Sequence, residues 1–317
     1  MESHLASCAR CRTEHEEIRF AAGLLRGLKT VAAPPSVWNG IAAQLDGRPT
    51  ARGSSVPRLA VAWMVGLLAA GAAAYWSLRE PVRPWEVARL TDGVTTNMAV
   101  GEWVETDARS RARITVGSIG AVDVEPGSRV RLGALLPEQY RLALERGTIS
   151  ARISAPPRLF FVETPASTVV DLGCAYTVQV DESGTGDLRV TEGWASLEWS
   201  GRESLVPAGA HCQIRAGVGP GTPMFEDASP ALRQAVADFD SGSGGSAAVT
   251  DVLAESRVRD TLTLWHLLSR VEPGDRARVF DRIAALTPVP AGVDRDKALQ
   301  LDAPTLQHWR EELAWTW

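Results

Sequence analysis

His4, Cys8 and Cys11 form the only metal-type cluster in this 317-residue sequence. On a helix, His4 and Cys8 lie one turn apart on one face, and Cys11 follows three residues later on that face. An imidazole and two thiolates converging in this way suit Zn²⁺ in a tetrahedral site. A closed structural site needs a fourth ligand. His15, four residues after Cys11, can supply it, and Glu14 and Glu16 are poorer candidates. The alternative is a reduced thiol pair with no metal.

The other two cysteines, Cys174 and Cys212, offer different chemistry. In an oxidising compartment they would close a loop of about forty residues with a disulfide contributing about 3–4 kcal/mol on the entropic model. The alternative is two buried thiols whose Cα atoms lie too far apart to join. Catalytic patterns fail at a required residue. His15-Glu16-Glu17 has no second His at metalloprotease spacing, and GVGPGT at 217–222 lacks the Gly-Lys-Ser/Thr end of a phosphate loop. No G-x-S-x-G elbow occurs. His211 and Cys212 are neighbours in a strand-like run, so their side chains face opposite ways. The chain therefore reads as a protein that is not an enzyme.

The elements around the metal cluster are short helices. Ile18, Ala21, Leu25 and Leu28 recur at helical spacing, and Pro34-Pro35 breaks the run. Ser36 then caps a helix with Val37, Trp38, Ile41 and Leu45 on one side. So few residues cannot bury that much apolar surface, so either a partner protein covers it or the helices pack on each other. Residues 51–58 read as a linker. Leu59 to Leu78 is twenty residues without a charge, closed by Arg58 and Arg79, with Tyr75 and Trp76 at one end. That length matches a membrane-spanning helix, with a buried core helix or a signal peptide as alternatives. Residues 1–58 hold eight Lys/Arg against five Asp/Glu, and the rest hold 25 against 33. The expected orientation therefore has the N-terminus in the cytoplasm and the C-terminus outside.

From Trp85 the period changes to two. Runs such as RARITV, RVRLGAL, TISARI and YTVQV, punctuated by Gly every 8–12 residues, read as an all-β region over 84–220. Residues 226–317 read as four or five helices after the β region, with SGSGGS at 241–246 as a flexible linker or long turn. The Trp-rich end (Trp309, Trp315, Trp317) is expected to dock, and His266 reads as a core or polar-edge side chain. The net charge of −5, with 45% hydrophobic and 22% charged residues, excludes a disordered chain or a rod. It gives no support to direct nucleic-acid binding.

Two resemblances follow from these residues. HLASCARC, an amphipathic helix and then PPSVW with Ile41 and Leu45 together resemble the zinc-associated anti-sigma domain, a zinc-finger type, over about residues 3–46. Members of that family bind extracytoplasmic-function sigma factors. The resemblance implies that His4, Cys8 and Cys11 are metal ligands and that the helix with Trp38 and Ile41 contacts the sigma factor. The family has a helix before its His and a fourth ligand that is usually Cys. This sequence starts three residues before His4, so a true start upstream of Met1 is expected.

The second resemblance is to the FecR sensor domain. It rests on the ordered pieces LTDGV (90–94), VGEWVETD (100–107), VEPGSRVRL (124–132), LERGTISARI (144–153), FVETPASTVVDLGCAYTVQV (161–180), VTEGWASL (190–197) and LVPAGAHCQI (205–214). The family's usual G-T-x-F stands here as Gly173-Cys174-Ala175-Tyr176. The implied fold is a compact β-roll or β-helix-like domain.

The whole chain is thus expected to be a multidomain membrane protein. It has a small all-α N-terminal domain (1–50), one transmembrane helix (59–78), an all-β FecR-like domain and a helical C-terminal region. Its implied function is a single-pass inner-membrane anti-sigma regulator. It would hold an extracytoplasmic-function sigma factor inside and sense an envelope signal, or an outer-membrane signalling protein, outside. The second reading is an envelope-associated FecR-domain structural or ligand-binding protein with a degenerate N-terminal segment.

Overall fold

The computed structural model describes residues 85–90, 93, 95–136 and 139–317. They lie within one compact unit, Glu80–Trp317.

Alternating sequence builds two sheets. In the run ARITV, Ala112, Ile114 and Val116 are buried while Arg113 and Thr115 are exposed. Hairpin connections then stack such strands antiparallel. The first sheet contains β1 (Trp85–Arg89), β2 (Thr95–Met98), β4 (Ala112–Val116), β5 (Gly120–Val124), β10 (Ala175–Val180), β11 (Gly186–Glu192) and β14 (Ala210–Arg215). The short strands β15 (Gly219–Pro220) and β16 (Met224–Phe225) both pair with β14. The second sheet contains β3 (Trp103–Glu105), β6 (Arg129–Leu136), β8 (Phe160–Thr164), β9 (Ser167–Asp171), β12 (Trp194–Trp199) and β13 (Arg202–Pro207).

One long strand, β7 (Gln139–Ile153), belongs to both sheets. Its first half pairs with β6 and, in parallel, with β8. Its second half pairs antiparallel with β5 and β10. The crossing point is Gly147, at φ 98°. Leu142 and Leu144 are buried before it, Ile149, Ala151 and Ile153 after it. The inward face thus changes from even to odd positions between Leu144 and Ile149, where a bulge gives β7 one residue more than β6 (Val130 pairs with Leu144, Arg129 with Arg146) and Gly147 makes the turn into the first sheet. Only Gly tolerates this backbone conformation without strain, and a Cβ there would overlap Ser128. Ser128 Oγ donates to Thr148 O (3.0 Å) and accepts from Thr148 N (2.8 Å), which locks the bend. The inner faces of the two sheets share one core that includes Ile114, Val122, Leu142, Ile149, Val162, Val178, Leu188 and Leu197.

Six helices follow. Helix α1 (Pro230–Ser241) begins with Pro at its first position, and the Ser229 side chain accepts from Leu232 N. It ends at Gly242 in the left-handed conformation. Helix α2 (Gly245–Glu255) starts three residues later, so the SGSGGS stretch is a tight turn between helices. Then come α3 (Thr261–Leu268), α4 (Arg276–Leu286), α5 (Arg295–Leu299) and α6 (Ala303–Leu313). They surround a second core built on Leu232, Val252, Leu264, Val279, Phe280, Ile283 and Trp309.

Two expectations are corrected. The described fold is mostly β-sheet with a helical C-terminal part, two sheets sharing a bent strand. It is not a β-helix, because among the described strands every pair but β7–β8 is antiparallel. The expected single-pass inner-membrane placement also has no support. Among the described residues no helix is long and apolar enough to cross a membrane. The longest, α1, has twelve residues, about 18 Å against a hydrocarbon core of roughly 30 Å. The expected all-α domain (1–50) and the apolar stretch 59–78 lie outside the described residues.

Candidate functional site

The expected metal ligands His4, Cys8, Cys11 and His15 lie outside the described residues, as do the expected partner contacts Val37, Trp38, Ile41 and Leu45. Among the described residues no group of three or more His, Cys, Asp and Glu is placed to hold a metal ion.

Cys174 and Cys212 are both buried free thiols. The sheet register keeps them apart, in keeping with the second of the two readings left open by the sequence. Leu188 of β11 pairs with Val178 on one side and with Cys212 on the other. Cys174 lies four residues before Val178. Two strand spacings sideways and four residues along the strand put the cysteines about 16 Å apart, far beyond disulfide reach. Each thiol has its own acceptor instead. Cys174 Sγ lies 3.1 Å from Asp171 Oδ2, and Cys212 Sγ lies 3.2 Å from Gly221 O.

These groups are held in unreactive states. Burial raises the pKa of the Asp171 carboxyl, although its bonds with Cys174 and with Gly173 N act the other way. Burial, with the Asp171 charge adding to it, pushes the Cys174 thiol far above the ordinary thiol range. Burial pushes Cys212 up to about 12. A thiol in that condition is no nucleophile at neutral pH. His211 points away from Cys212, with Nδ1 3.0 Å from Asp187 Oδ1, so the pair is separated as alternation requires.

The seam between the sheets and the helices holds the most specific polar geometry. Helix α3 meets the edge strand β13 through His266. His266 Nδ1 donates to Leu262 O (2.9 Å), which leaves Nε2 to accept from Leu205 N (2.9 Å) on the strand's open edge. Burial lowers the His266 pKa to about 3, and Arg270 and Arg310 push the same way. The ring is therefore neutral, as its two bonds require. Arg270, just beyond α3, donates to Ser204 Oγ (2.7 Å) and Pro220 O (3.1 Å) and faces Asp240 of α1 at 3.5 Å. Asp240 in turn accepts from Thr222 N and Thr222 Oγ1. Trp317 packs against both cores, 6.0 Å from Trp194 and 6.4 Å from Trp265 by ring centroids. Sequence reading anticipated a docked tail and a core His266. It did not find the Arg270–Asp240 pair, because an Arg at a helix end and an Asp in a polar run look like surface residues.

The outer face of the first sheet carries a shallow basin of about 430 Å³. The Arg113–Asp123 and Arg152–Glu192 ion pairs flank a hydroxyl contact between Ser150 and Thr177 (3.0 Å). These groups can bind by hydrogen bonding. Among the described residues, neither the basin nor the seam pairs a nucleophile with an activating base.

No protein-family model matches the chain, and no curated protein matches it. Two crystal structures of a candidate anti-sigma factor from Parabacteroides distasonis ATCC 8503 are similar to it, at 15% identity and a TM-score of 0.36. The likeness covers 42% of this chain and 63% of that one, so the chain spans less than two thirds of its neighbour's length. It is a partial likeness and carries no weight for what this chain does.

Proposed function

We propose that this protein is a non-catalytic regulator of the anti-sigma class. Its N-terminal segment binds an extracytoplasmic-function sigma factor, with Val37, Trp38, Ile41 and Leu45 as the apolar contact face. His4, Cys8 and Cys11, with His15 as fourth ligand, hold a zinc ion that fixes the short helices, since so small a segment needs a staple to stay folded. The β unit receives the regulating signal, carried by a second protein or a ligand. The observation that carries this reading is the ordered series of seven FecR-type pieces from 90 to 214, in one chain with the H-x₃-C-x₂-C cluster and the Trp38 helix. Any one piece is weak; their joint order is specific.

The test uses the full chain, immobilised and challenged with each extracytoplasmic-function sigma factor of the source organism. One of them should be retained. Trp38→Ala with Ile41→Ala should weaken retention at least tenfold. Retention of none, or equal retention by the double variant, overturns the reading.

A further inference from the structure

Among the described residues the second sheet ends at β3, which pairs only with β6. In that pairing Leu132 N donates to Glu102 O and Thr106 N donates to Ser128 O. Glu102 O, Val104 and Thr106 N thus face β6, while ahead of the strand Gly101 N donates to Leu132 O and Glu102 N turns back to Ala99 O. Trp103 and Glu105, between them, turn theirs outward. The edge is also apolar for an exposed place. Trp103 is 43% exposed, and Val100 in the preceding turn is 56% exposed. The Trp103 ring lies under two guanidinium groups, Arg129 at 4.1 Å and Arg131 at 5.3 Å. Arg129 also pairs with Glu105 (2.7 Å) and Glu145 (3.2 Å).

We propose that this edge joins two copies of the chain, with β3 pairing antiparallel to β3 about a two-fold axis at Val104. The main-chain parity fits. Trp103 of one copy and Glu105 of the other then form a hydrogen-bonded pair, Val104 faces Val104, and the symmetric pair closes the set. The side chains fit as well. Within one copy Trp103 lies opposite Arg131, and Glu105 lies opposite Arg129. Across the axis the outer face therefore reads Arg131, Trp103, Glu105, Arg129, and the same in reverse on the next row. No like charges stand directly opposite, and each Glu105 meets the aromatic–guanidinium stack of the other copy. A short charged edge is also how proteins discourage pairing with other chains. The self-complementary row separates the two cases, because it favours one partner, a second copy in this register.

Sedimentation equilibrium of the full chain should give a reversible monomer–dimer equilibrium. Trp103→Ala should weaken it at least tenfold. Glu105→Pro should abolish it, because it removes an outward N–H that β6 does not use. Its urea midpoint reports whether the fold survives. In Val104→Cys, mild oxidation should yield a disulfide between the two introduced thiols in peptide maps, since that position faces itself across the axis. A protein that stays monomeric to about 100 µM overturns the proposal, on the scale of micromolar association. So does a dimer that ignores both substitutions and gives no such link.

Discussion

The two cores of this molecule are held in different ways. The sandwich core is closed by one covalent device, a strand that serves both sheets, and filled by alternating Val, Ile and Leu. The helical layer is set on it by a few polar groups, namely His266, Arg270 and Asp240, with Trp317 wedged at the seam. Apolar packing is non-directional and roughly proportional to area, so the sandwich tolerates many side-chain choices but depends on its backbone path. The seam depends on single atoms, because each buried polar group costs free energy unless its partner is in place.

The sharpest way to break the sandwich side of that comparison is Gly147→Val. The backbone there is left-handed and a Cβ meets Ser128. The substitution should cost at least about 4 kcal/mol, by strain and by opening the Ser128–Thr148 bonds, or prevent folding. Urea unfolding checks it. A loss under about 1 kcal/mol would mean that β7 can bend elsewhere and that the two sheets are not tied through this residue.

The seam should lose stability as pH falls, whereas the sandwich carboxyl Asp171, whose pKa burial raises, acts in the opposite sense. His266 stays neutral in the fold down to about 3, against an ordinary value of 6.5. Between those values the unfolded chain takes up a proton that the folded chain refuses. Stability is therefore full above pH 6.5 and falls as pH drops toward 3. About 2 kcal/mol of this should be gone by pH 5, from the linkage of a 1.36 kcal/mol change per pH unit. His266→Gln keeps an acceptor for Leu205 N but cannot titrate, so its unfolding free energy should start lower at pH 7.5 and change less down to pH 5. Parallel slopes for the two proteins would remove His266 as the source. The lowered carboxylates Asp107, Asp181 and Asp302 lose their contribution from their ordinary value of 3.8 downward, below the pH 5 end of this comparison.

What was legible in the sequence divides along the same line. The strands of the sandwich show in period-two runs such as RARITV, and even the bend is visible in retrospect. The buried positions of LALERGTISARI change parity across Gly147, which a fixed period of two cannot produce. That the strands fold as two sheets, with β7 in both, is a property of pairing partners and is written in no single run. The seam was illegible for another reason. Whether Arg270 is a solvated cation or a buried strut depends on Ser204, Pro220 and Asp240, which lie 66, 50 and 30 residues away. Spacing along the chain carries no trace of that meeting.

The smallest expected effect concerns the two cysteines, which sequence alone left open between a bridge and separate thiols. A bridge across that loop would add about 3–4 kcal/mol by restricting the unfolded chain. Register places Cys174 and Cys212 on strands separated by β11 and four residues out of line, and each sulfur already has an acceptor. Dithiothreitol should therefore leave the urea midpoint of the full chain where it was. Alkylation after denaturation should label both cysteines without prior reduction. A midpoint that drops on reduction, with an unlabelled pair before it, would mean that the β10–β11–β14 register is wrong. The sandwich, not the seam, would then be the region whose order has to be redrawn.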